Sequence, residues 1–332
     1  MRVWGRGTST DMKRVLSIVA SASILLLMFI TPDIAHGQSG QGLEISPPLI
    51  ELKADPGKVI NSTIRVRNVT QDTLVIKSQI NDFVANGEDG QPKLLLDAEE
   101  ESPYSIKSWI VSIPAITLKK GEQKSVKVTL RVPDNASPGG HFGVIRFTGT
   151  PPELEDTGVS LSASVGTLML VNVSGDTTEQ AVISEMYTAQ NGKKRNMFEY
   201  GPVTIAERIT NTGNVFFKPT GSIRVSNMFG REVTTFALNE NGGNVLPGST
   251  RKFEQELSDK LLFGRYTVQA DVVYGERNTI VSDSITFWVI PYKLIALVIL
   301  AIVLIVFFVR RYNRYIVKKA QGRSKNNGST KK

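Results

Sequence analysis

The sequence predicts an all-β protein with two tandem immunoglobulin-like β-sandwiches plus one C-terminal transmembrane helix. Three observations support this fold class. Apolar and polar residues alternate with a period of two in several short segments, and no window between residues 40 and 290 keeps a helical spacing for more than a turn or two. Turn-forming dipeptides separate these segments. A long apolar run followed by basic residues lies near the C-terminus.

The individual strands follow from this alternation. Residues 125–132 place Val126, Val128, Leu130 and Val132 on one face and polar residues on the other, which is typical of a half-buried strand. Residues 59–68, 73–83 and 266–274 repeat the pattern. The pair Pro47-Pro48 interrupts the first strand, which favours an edge strand that crosses between two sheets.

Glycine, asparagine and proline pairs predict the connections between strands. We expect tight turns at residues 86–90, 120–121, 138–140, 191–192, 241–243 and 247–248. The turn at residues 138–140 precedes a strand that is expected to begin at Gly143, so His141 is predicted to be an exposed turn residue.

The order of these features occurs twice along the chain. A strand ending in Asn68 and a later strand opened by Lys120-Gly121 have counterparts in a strand ending near Asn211 and one opened by Pro247-Gly248. We therefore predict sandwiches over residues 38–176 and 177–290. Tyr266, close after Gly264, is expected to be a corner tyrosine whose hydroxyl bonds to the backbone.

The N-terminus has the organisation of a secretory signal peptide, residues 1–37. A basic region closes at Arg14, an apolar region covers residues 15–30, and Ala35-His36-Gly37 offers small residues to a signal peptidase. Cleavage is predicted between Gly37 and Gln38. The alternative is an uncleaved membrane anchor, and either outcome delivers the middle of the chain to the outside.

The second apolar run predicts a transmembrane helix over residues 291–309, with Trp288 and Tyr292 at the membrane interface. The tail, residues 310–332, carries nine basic residues and no acidic one, so the positive-inside rule places it in the cytoplasm. These features predict a single-pass type I protein of the cell membrane. The lipid bilayer is thus one expected partner.

The distribution of charge argues against a nucleic-acid partner. The net charge is +8, but thirteen basic residues lie in the two terminal segments. Residues 38–293 contain 26 basic and 29 acidic residues, so this part of the chain is slightly acidic and the net basic character is confined to the two ends.

The composition provides few of the side chains that enzymes commonly use for catalysis. The chain has no cysteine, and His141 is the only histidine beyond residue 37, which excludes disulfides, Cys-ligated zinc and thiol nucleophiles. The acids at residues 97 and 99–101 are interpreted as a solvated loop, and residues 86–90 as a hairpin tip, with calcium binding as the alternative. We predict no enzyme activity, no cofactor, no metal site and no catalytic residue, although an Asp/Glu hydrolase stays open.

Together these residues resemble a known family. The motifs are Pro47-Pro48, Arg67-Asn68, Asn86-Gly87 with the acids after it, residues 118–122, and Val132-Pro133 leading to residues 138–143. In this order they resemble the N-terminal domain of WxL-interacting proteins, which are surface proteins of Gram-positive bacteria with two immunoglobulin-like domains and a C-terminal membrane helix. The segments 264–266 and 273–275 depart from that family's second domain. The first domain also has a more distant similarity to periplasmic pilus chaperones, whose basic anchor residues have no assignable match.

This resemblance implies a first domain that binds peptidoglycan or another cell-wall glycan and a second that meets a surface or secreted protein. Tyr104 and Trp109 are the aromatic candidates for stacking on sugar, although Trp109 is more consistent with core packing. The functional hypothesis is a non-enzymatic cell-envelope binding protein on the bacterial surface. The alternative is an assembly factor, or chaperone-like protein, that binds secreted clients by edge-strand pairing.

Overall fold

The computed structural model describes residues 42–97, 102–151, 164–259 and 262–326. The predicted signal peptide, its cleavage site at Gly37 and Gln38, and the acids at residues 99–101 lie outside these ranges. Two immunoglobulin-like β-sandwiches and one long C-terminal helix make up the described chain, as the sequence predicts.

The first sandwich, domain 1, is built from nine strands. A three-stranded sheet has the order β1-β3-β7, and the larger sheet has the order β2-β9-β8-β4-β5, with β6 also paired to β4. One turn of 3₁₀ helix, Lys107–Trp109, covers an open end of the sandwich. The strands are β1 Leu43–Ser46, β2 Leu49–Ala54, β3 Val59–Asn68, β4 Leu74–Asn86, β5 Gln91–Leu95, β6 Ile116–Leu118, β7 Gln123–Arg131, β8 Gly139–Thr150 and β9 Ser164–Val173.

The first strand changes sheets at the two prolines. β1 pairs antiparallel with β3, whereas β2 pairs parallel with β9 in the opposite sheet. Pro47 and Pro48 occupy the two positions between these strands, where neither sheet requires a backbone N–H. The predicted crossing edge strand is confirmed.

The second sandwich, domain 2, has a four-stranded sheet of order β11-β10-β13-β16 and a five-stranded sheet of order β12-β18-β17-β14-β15. Its strands are β10 Ala181–Gln190, β11 Lys193–Lys194, β12 Met197–Phe198, β13 Val203–Asn211, β14 Thr220–Asn227, β15 Glu232–Ala237, β16 Thr250–Leu257, β17 Gly264–Tyr274 and β18 Thr279–Val289. Each sandwich encloses its own buried apolar cluster. The alternation predicted for β3, β7 and β17 is confirmed by their burial.

Two buried asparagines hold equivalent places in the two sandwiches. The Asn68 amide nitrogen donates to the carbonyls of Asp72 (2.7 Å) and Leu118 (3.1 Å), and its oxygen accepts from the Thr70 N–H at 2.9 Å. Asn211 does the same with Val215 (2.8 Å), Val245 (3.0 Å) and Gly213 (3.0 Å). Each side chain therefore ties the end of one strand both to the loop that follows it and to a distant segment, through hydrogen bonds to their backbone groups.

The corner tyrosine is confirmed. Tyr266 is buried, and its hydroxyl oxygen accepts a hydrogen bond from the Phe263 N–H at 3.1 Å. This bond fixes the loop before β17 against the strand.

The region around His141 differs from the prediction. Gly139 and Gly140 do not form a turn but begin β8, and His141 is a buried strand residue opposite Val171. Its Nε2 lies 2.8 Å from the Ser137 carbonyl, its ring is 4.5 Å from that of Trp109, and burial lowers its pKa. The prediction of an exposed turn was wrong because these glycines serve a close contact with domain 2, described below.

The C-terminal helix, α1, covers Tyr292–Asn326, and two residues separate its start from the end of β18. Its part Tyr292–Ile316 is long and apolar enough to cross a membrane. The helix continues into the basic segment.

We predict that Asn68→Ala lowers the free energy of unfolding of domain 1 by about 2–4 kcal/mol, because it removes the hydrogen bonds that this buried side chain makes with Asp72, Leu118 and Thr70. Denaturant unfolding followed by the fluorescence of Trp109 measures this. Asn61→Ala, at an exposed position of the same strand, is the control and is expected to change the value by less than about 0.5 kcal/mol. Equal effects of the two substitutions would contradict the assignment.

Candidate binding cleft between the sandwiches

The larger sheet of domain 1 is apolar on both faces. Ile145, Phe147 and Val171 point into the core of domain 1, while Phe142 and Leu170, at the alternate positions of the same strands, are buried on the outer face. A sheet with two apolar faces must be covered on both sides. Domain 2 supplies the second cover.

Phe216 is the side chain through which domain 2 makes this contact. It joins the buried cluster of Phe83, Phe142, Val144 and Leu170. A Cβ atom on Gly140 would lie 3.2 Å from the Phe216 ring, and one on Gly139 would lie 2.5 Å from the Asn214 carbonyl oxygen. The two glycines therefore permit the close approach of the domains, and the Gly140 N–H donates to the Asn214 carbonyl at 2.7 Å.

Polar contacts surround this apolar contact. The Glu88 carboxylate, at the tip of the β4–β5 hairpin, accepts from Arg208 Nε at 2.8 Å, and the Glu88 carbonyl accepts from the Lys252 N–H at 2.9 Å. Glu51 pairs with Lys218 at 2.6 Å. Residues 86–90 thus form the predicted hairpin tip, and Glu88 binds domain 2.

A cavity of about 240 Å³ opens beside this contact, between the two sandwiches. We call it the cleft. Two sheet edges border it, because β5 ends the larger sheet of domain 1 and β16 ends the four-stranded sheet of domain 2. Its apolar lining is Leu49, Phe83, Pro92, Leu168, Leu170 and Leu246.

Arg251 is the charged side chain that lines the cleft. Its guanidinium lies between Gly90 of domain 1 and Gly243 of domain 2, in space that a Cβ atom on either glycine would occupy. Its NH1 donates to the Asn244 carbonyl at 2.9 Å, and no carboxylate of the described residues lies within ion-pair distance. Partial burial lowers its pKa, so the cleft contains a partly desolvated cation with unused donors.

The two edges differ in what they offer to another strand. Pro92 removes one N–H from β5. In β16 the Lys252 N–H points away from β13, toward Glu88, so by alternation the backbone groups of Glu254 and Glu256 also point outward. Beyond Lys252, the described residues show no backbone partner for this outer edge, and the Ser258 hydroxyl is the side chain that bonds to it, at the Glu256 carbonyl (3.5 Å). β16 is thus the edge that can accept a strand.

The aromatic candidates for sugar binding are packed into domain 1. Trp109 belongs to its core, as the packing interpretation predicts, and Tyr104 is half-buried with its ring stacked 5.1 Å from that of Phe142. Phe216, Leu246 and Arg251 were missed by the sequence analysis. The available signal was the continuous apolar character of β8 and β9, which is typical of strands covered on both faces.

A buried acid lies one strand behind the cleft. Glu207, on β13, points into the core of domain 2 beside Phe253 and Met186 of the neighbouring strands. Neither carboxylate oxygen has a hydrogen-bond partner in the part of the chain that the structure describes, and burial raises the pKa of Glu207 to about 8. The group is therefore protonated at neutral pH.

Comparisons with known proteins add similarities at the level of fold. No family model and no curated protein matches the chain. Among solved structures, the class 5 fimbrial chaperone CfaA is 15% identical, with 75% of this chain and 99% of that chain covered, at a TM-score of 0.36. The E. coli chaperone DraB is 15% identical over 74% of this chain and 96% of that one, at 0.33. The CsuC–CsuE chaperone–adhesin complex of Acinetobacter baumannii is 14% identical over 74% and 97%, at 0.32.

We expect Phe216→Ala to loosen the two domains while leaving each folded, because Phe216 packs between them and not in either core. Nitroxide labels at Val59→Cys and Val233→Cys, both exposed in the native chain, report the distance between domains by pulsed electron resonance. The distance distribution should broaden. Phe217→Ala is the matched control: Phe217 lies in the core of domain 2, so its loss should cost about 3–5 kcal/mol of stability without broadening the distribution. A narrow distribution for Phe216→Ala would contradict the contact.

The raised pKa of Glu207 predicts that domain 2 loses stability as the pH rises. Its folded-state pKa, about 8, exceeds the reference value of 4.5, so the folded state keeps a proton that the unfolded chain releases above pH 4.5. The free energy of unfolding of domain 2 should fall by about 3 kcal/mol between pH 4.5 and pH 7, and should level off above pH 8. Unfolding followed by Trp288 fluorescence measures it. Glu207→Gln should remove most of this dependence, whereas Glu256→Gln, at an exposed position, should retain it.

Proposed function

We propose that this protein is a membrane-anchored binding protein that captures an extended segment of a surface or secreted protein in the cleft, by adding that segment to the edge of β16. The observation that carries this proposal is that one strand, β16, lines the apolar cleft at Thr250 and at Arg251, a cation without an ion-pair partner among the described residues, and has an open outer edge further along, at Glu254 and Glu256. Strand addition needs all three features: backbone groups for affinity, apolar recesses for alternate side chains, and a polar group for orientation.

The apolar side of the cleft fits alternate side chains of such a segment. A strand laid along β16 sends every second side chain to one face, where Leu246 and Leu168 line the cavity. The contact between Lys252 N–H and the Glu88 carbonyl is already a one-residue example of pairing on this edge. A client strand would continue it beyond Lys252 toward Glu254 and Glu256.

Arg251 would bind a carboxylate of the client, either its chain terminus or an acidic side chain. Its guanidinium has donors left after the bond to Asn244, and a carboxylate satisfies such donors in a two-pronged arrangement. The C-terminal carboxylate of a client chain, or an acidic side chain at the cleft, supplies this group. Because the guanidinium is partly removed from water, the pairing contributes more than one on the open surface would.

Placement at the membrane follows from α1. With α1 across the bilayer and the basic residues beyond Val309 on the cytoplasmic side, both sandwiches lie outside, which is the type I arrangement. The protein then acts by binding, with no chemistry on the client. Peptidoglycan binding stays a prediction from the sequence, since the aromatic rings proposed for it are packed inside domain 1.

The test uses a synthetic peptide of alternating valine and threonine with a free C-terminal carboxylate, and the full chain in detergent micelles. Saturable binding, measured by fluorescence anisotropy, is expected. Glu254→Pro should weaken it more than about tenfold, because proline removes an outward N–H from β16 without breaking a bond to β13. Glu254→Ala keeps that N–H and should bind normally. Equal binding by both variants would overturn strand addition at this edge.

Amidation of the peptide terminus isolates the role of Arg251. We expect amidation and Arg251→Gln each to weaken binding by about tenfold, and their combination to weaken it no further, because both remove the same ion pair. Additive losses would show that the carboxylate is held elsewhere.

A further inference from the structure

Large exposed apolar side chains are concentrated at one end of domain 2. Among the described residues that precede α1, every exposed methionine, phenylalanine, tyrosine and tryptophan lies there, while the other exposed apolar residues are aliphatic and scattered. We call this end the rim. It consists of Met197, Tyr200, Met228, Phe229, Phe263 and Trp288.

Strand register places these residues together. Met197 pairs with Trp288 at the end of β18, Gly264 pairs with Val289, and Asn227 pairs with Tyr266. The loops that carry Phe229 and Phe263 therefore leave the sheet at the end where β18 stops. Met228 packs on Gly264, since its methyl group occupies the space that a Cβ atom there would need.

Hydrogen bonds hold the backbone at both phenylalanines. The Asn227 side-chain oxygen accepts from the N–H groups of Phe229 (3.0 Å) and Arg231 (3.1 Å), which closes the β14–β15 tip. The Tyr266 hydroxyl oxygen accepts from the Phe263 N–H. Phe229 is 84% exposed at its tip, an unfavourable place for a large apolar ring in water.

The start of α1 lies at the same end. Two residues separate β18 from the helix, so the Cα atoms of Val289 and Tyr292 lie at most about 11 Å apart. The connection is also bonded to domain 2: the Ile290 N–H donates to the Phe198 carbonyl at 2.8 Å, and Lys293 pairs with Glu199 at 2.7 Å. The rim is therefore the part of domain 2 nearest to the start of the membrane-spanning segment.

Charge around the rim fits a lipid surface with anionic headgroups. Glu199 pairs with Lys293 and Glu232 with Arg224, while Glu256 and Asp259 are exposed at this end without an ion-pair partner among the described residues. These two acids are outnumbered by exposed basic side chains that also lack an ion-pair partner among the described residues. They are Lys193, Arg195, Arg231 and Arg265.

From these observations we infer that the rim is a second membrane contact: Phe229 and Phe263 insert into the interfacial layer of the leaflet that α1 enters, with Tyr200 and Trp288 at headgroup depth and the basic side chains on lipid phosphates. This inference rests on the membrane placement of α1 and goes beyond the capture of a client. With this contact, domain 2 rests on the membrane surface, and the cleft is held at a fixed height and orientation above the bilayer.

The test uses the full chain in vesicles of phosphatidylcholine with a quarter phosphatidylglycerol. Because the chain has no cysteine, single nitroxide labels can be placed at Phe229→Cys and Phe263→Cys, with Val59→Cys as the aqueous reference and Phe307→Cys as the bilayer reference. Power saturation compares access to oxygen with access to a water-soluble nickel chelate. We expect nickel access at both rim positions to be at least about threefold below that at Val59, and above that at Phe307.

The possible outcomes distinguish a failure of the rim contact from a failure of the membrane placement of α1. Rim labels as accessible to nickel as the Val59 label, with a buried label at Phe307, would overturn the rim contact and leave the anchor intact. A label at Phe307 that is itself accessible to nickel would overturn the membrane placement of α1, and the rim contact with it.

A second variant distinguishes insertion from a local effect of the label. Phe229→Ser, in the chain labelled at Phe263→Cys, should raise nickel access at the label about twofold or more, because one of the two inserted side chains is lost. Ile280→Ser removes an apolar side chain that is 64% exposed at the other end of β18 and should leave access unchanged. Equal effects of the two serine variants would overturn the inference.

Discussion

The covering of one sheet on both faces is the constraint on which the rest of the structure depends. β8 and β9 carry apolar side chains on both faces of the sheet, so the larger sheet of domain 1 cannot face water on either side. Its inner face is covered by the other sheet of domain 1, and its outer face by Phe216 and Leu246 of domain 2. The two sandwiches are consequently packed on each other, and the cleft lies where this cover is incomplete.

The position of the cation in the cleft is a consequence of the same contact. Arg251 is the second residue of β16, and its guanidinium lies between a glycine of domain 1 and a glycine of domain 2. Without the approach of the β4–β5 hairpin, the guanidinium would be hydrated and the edge of β16 would be open along its whole length. The Glu88 contacts with Arg208 and Lys252 fix how far that edge is covered.

The two sandwiches use one device at the ends of β3 and β13. Asn68 and Asn211 form side-chain bonds to backbone groups where the chain turns away from the sheet. The interior is less uniform elsewhere. Glu207 occupies a core position of domain 2 without a hydrogen-bond partner among the described residues, and its protonation lets a carboxyl stay there at neutral pH. At the end of domain 2 beside the helix, aromatic residues are exposed.

The sequence by itself determined those features that depend on near neighbours in the chain. Alternation located β3, β7 and β17, the prolines at 47 and 48 located the change of sheet, and the apolar run located α1, because each is a local pattern of side-chain direction or hydropathy. Only the tertiary structure decided what covers each face. Gly139 and Gly140 looked like a turn, yet they accommodate Phe216 and Asn214. His141 was predicted to be exposed, yet neighbouring strands bury it. Nothing in the sequence indicated that Glu207 is buried or that a second domain removes part of the water around Arg251, since burial and electrostatics depend on segments far apart in the chain.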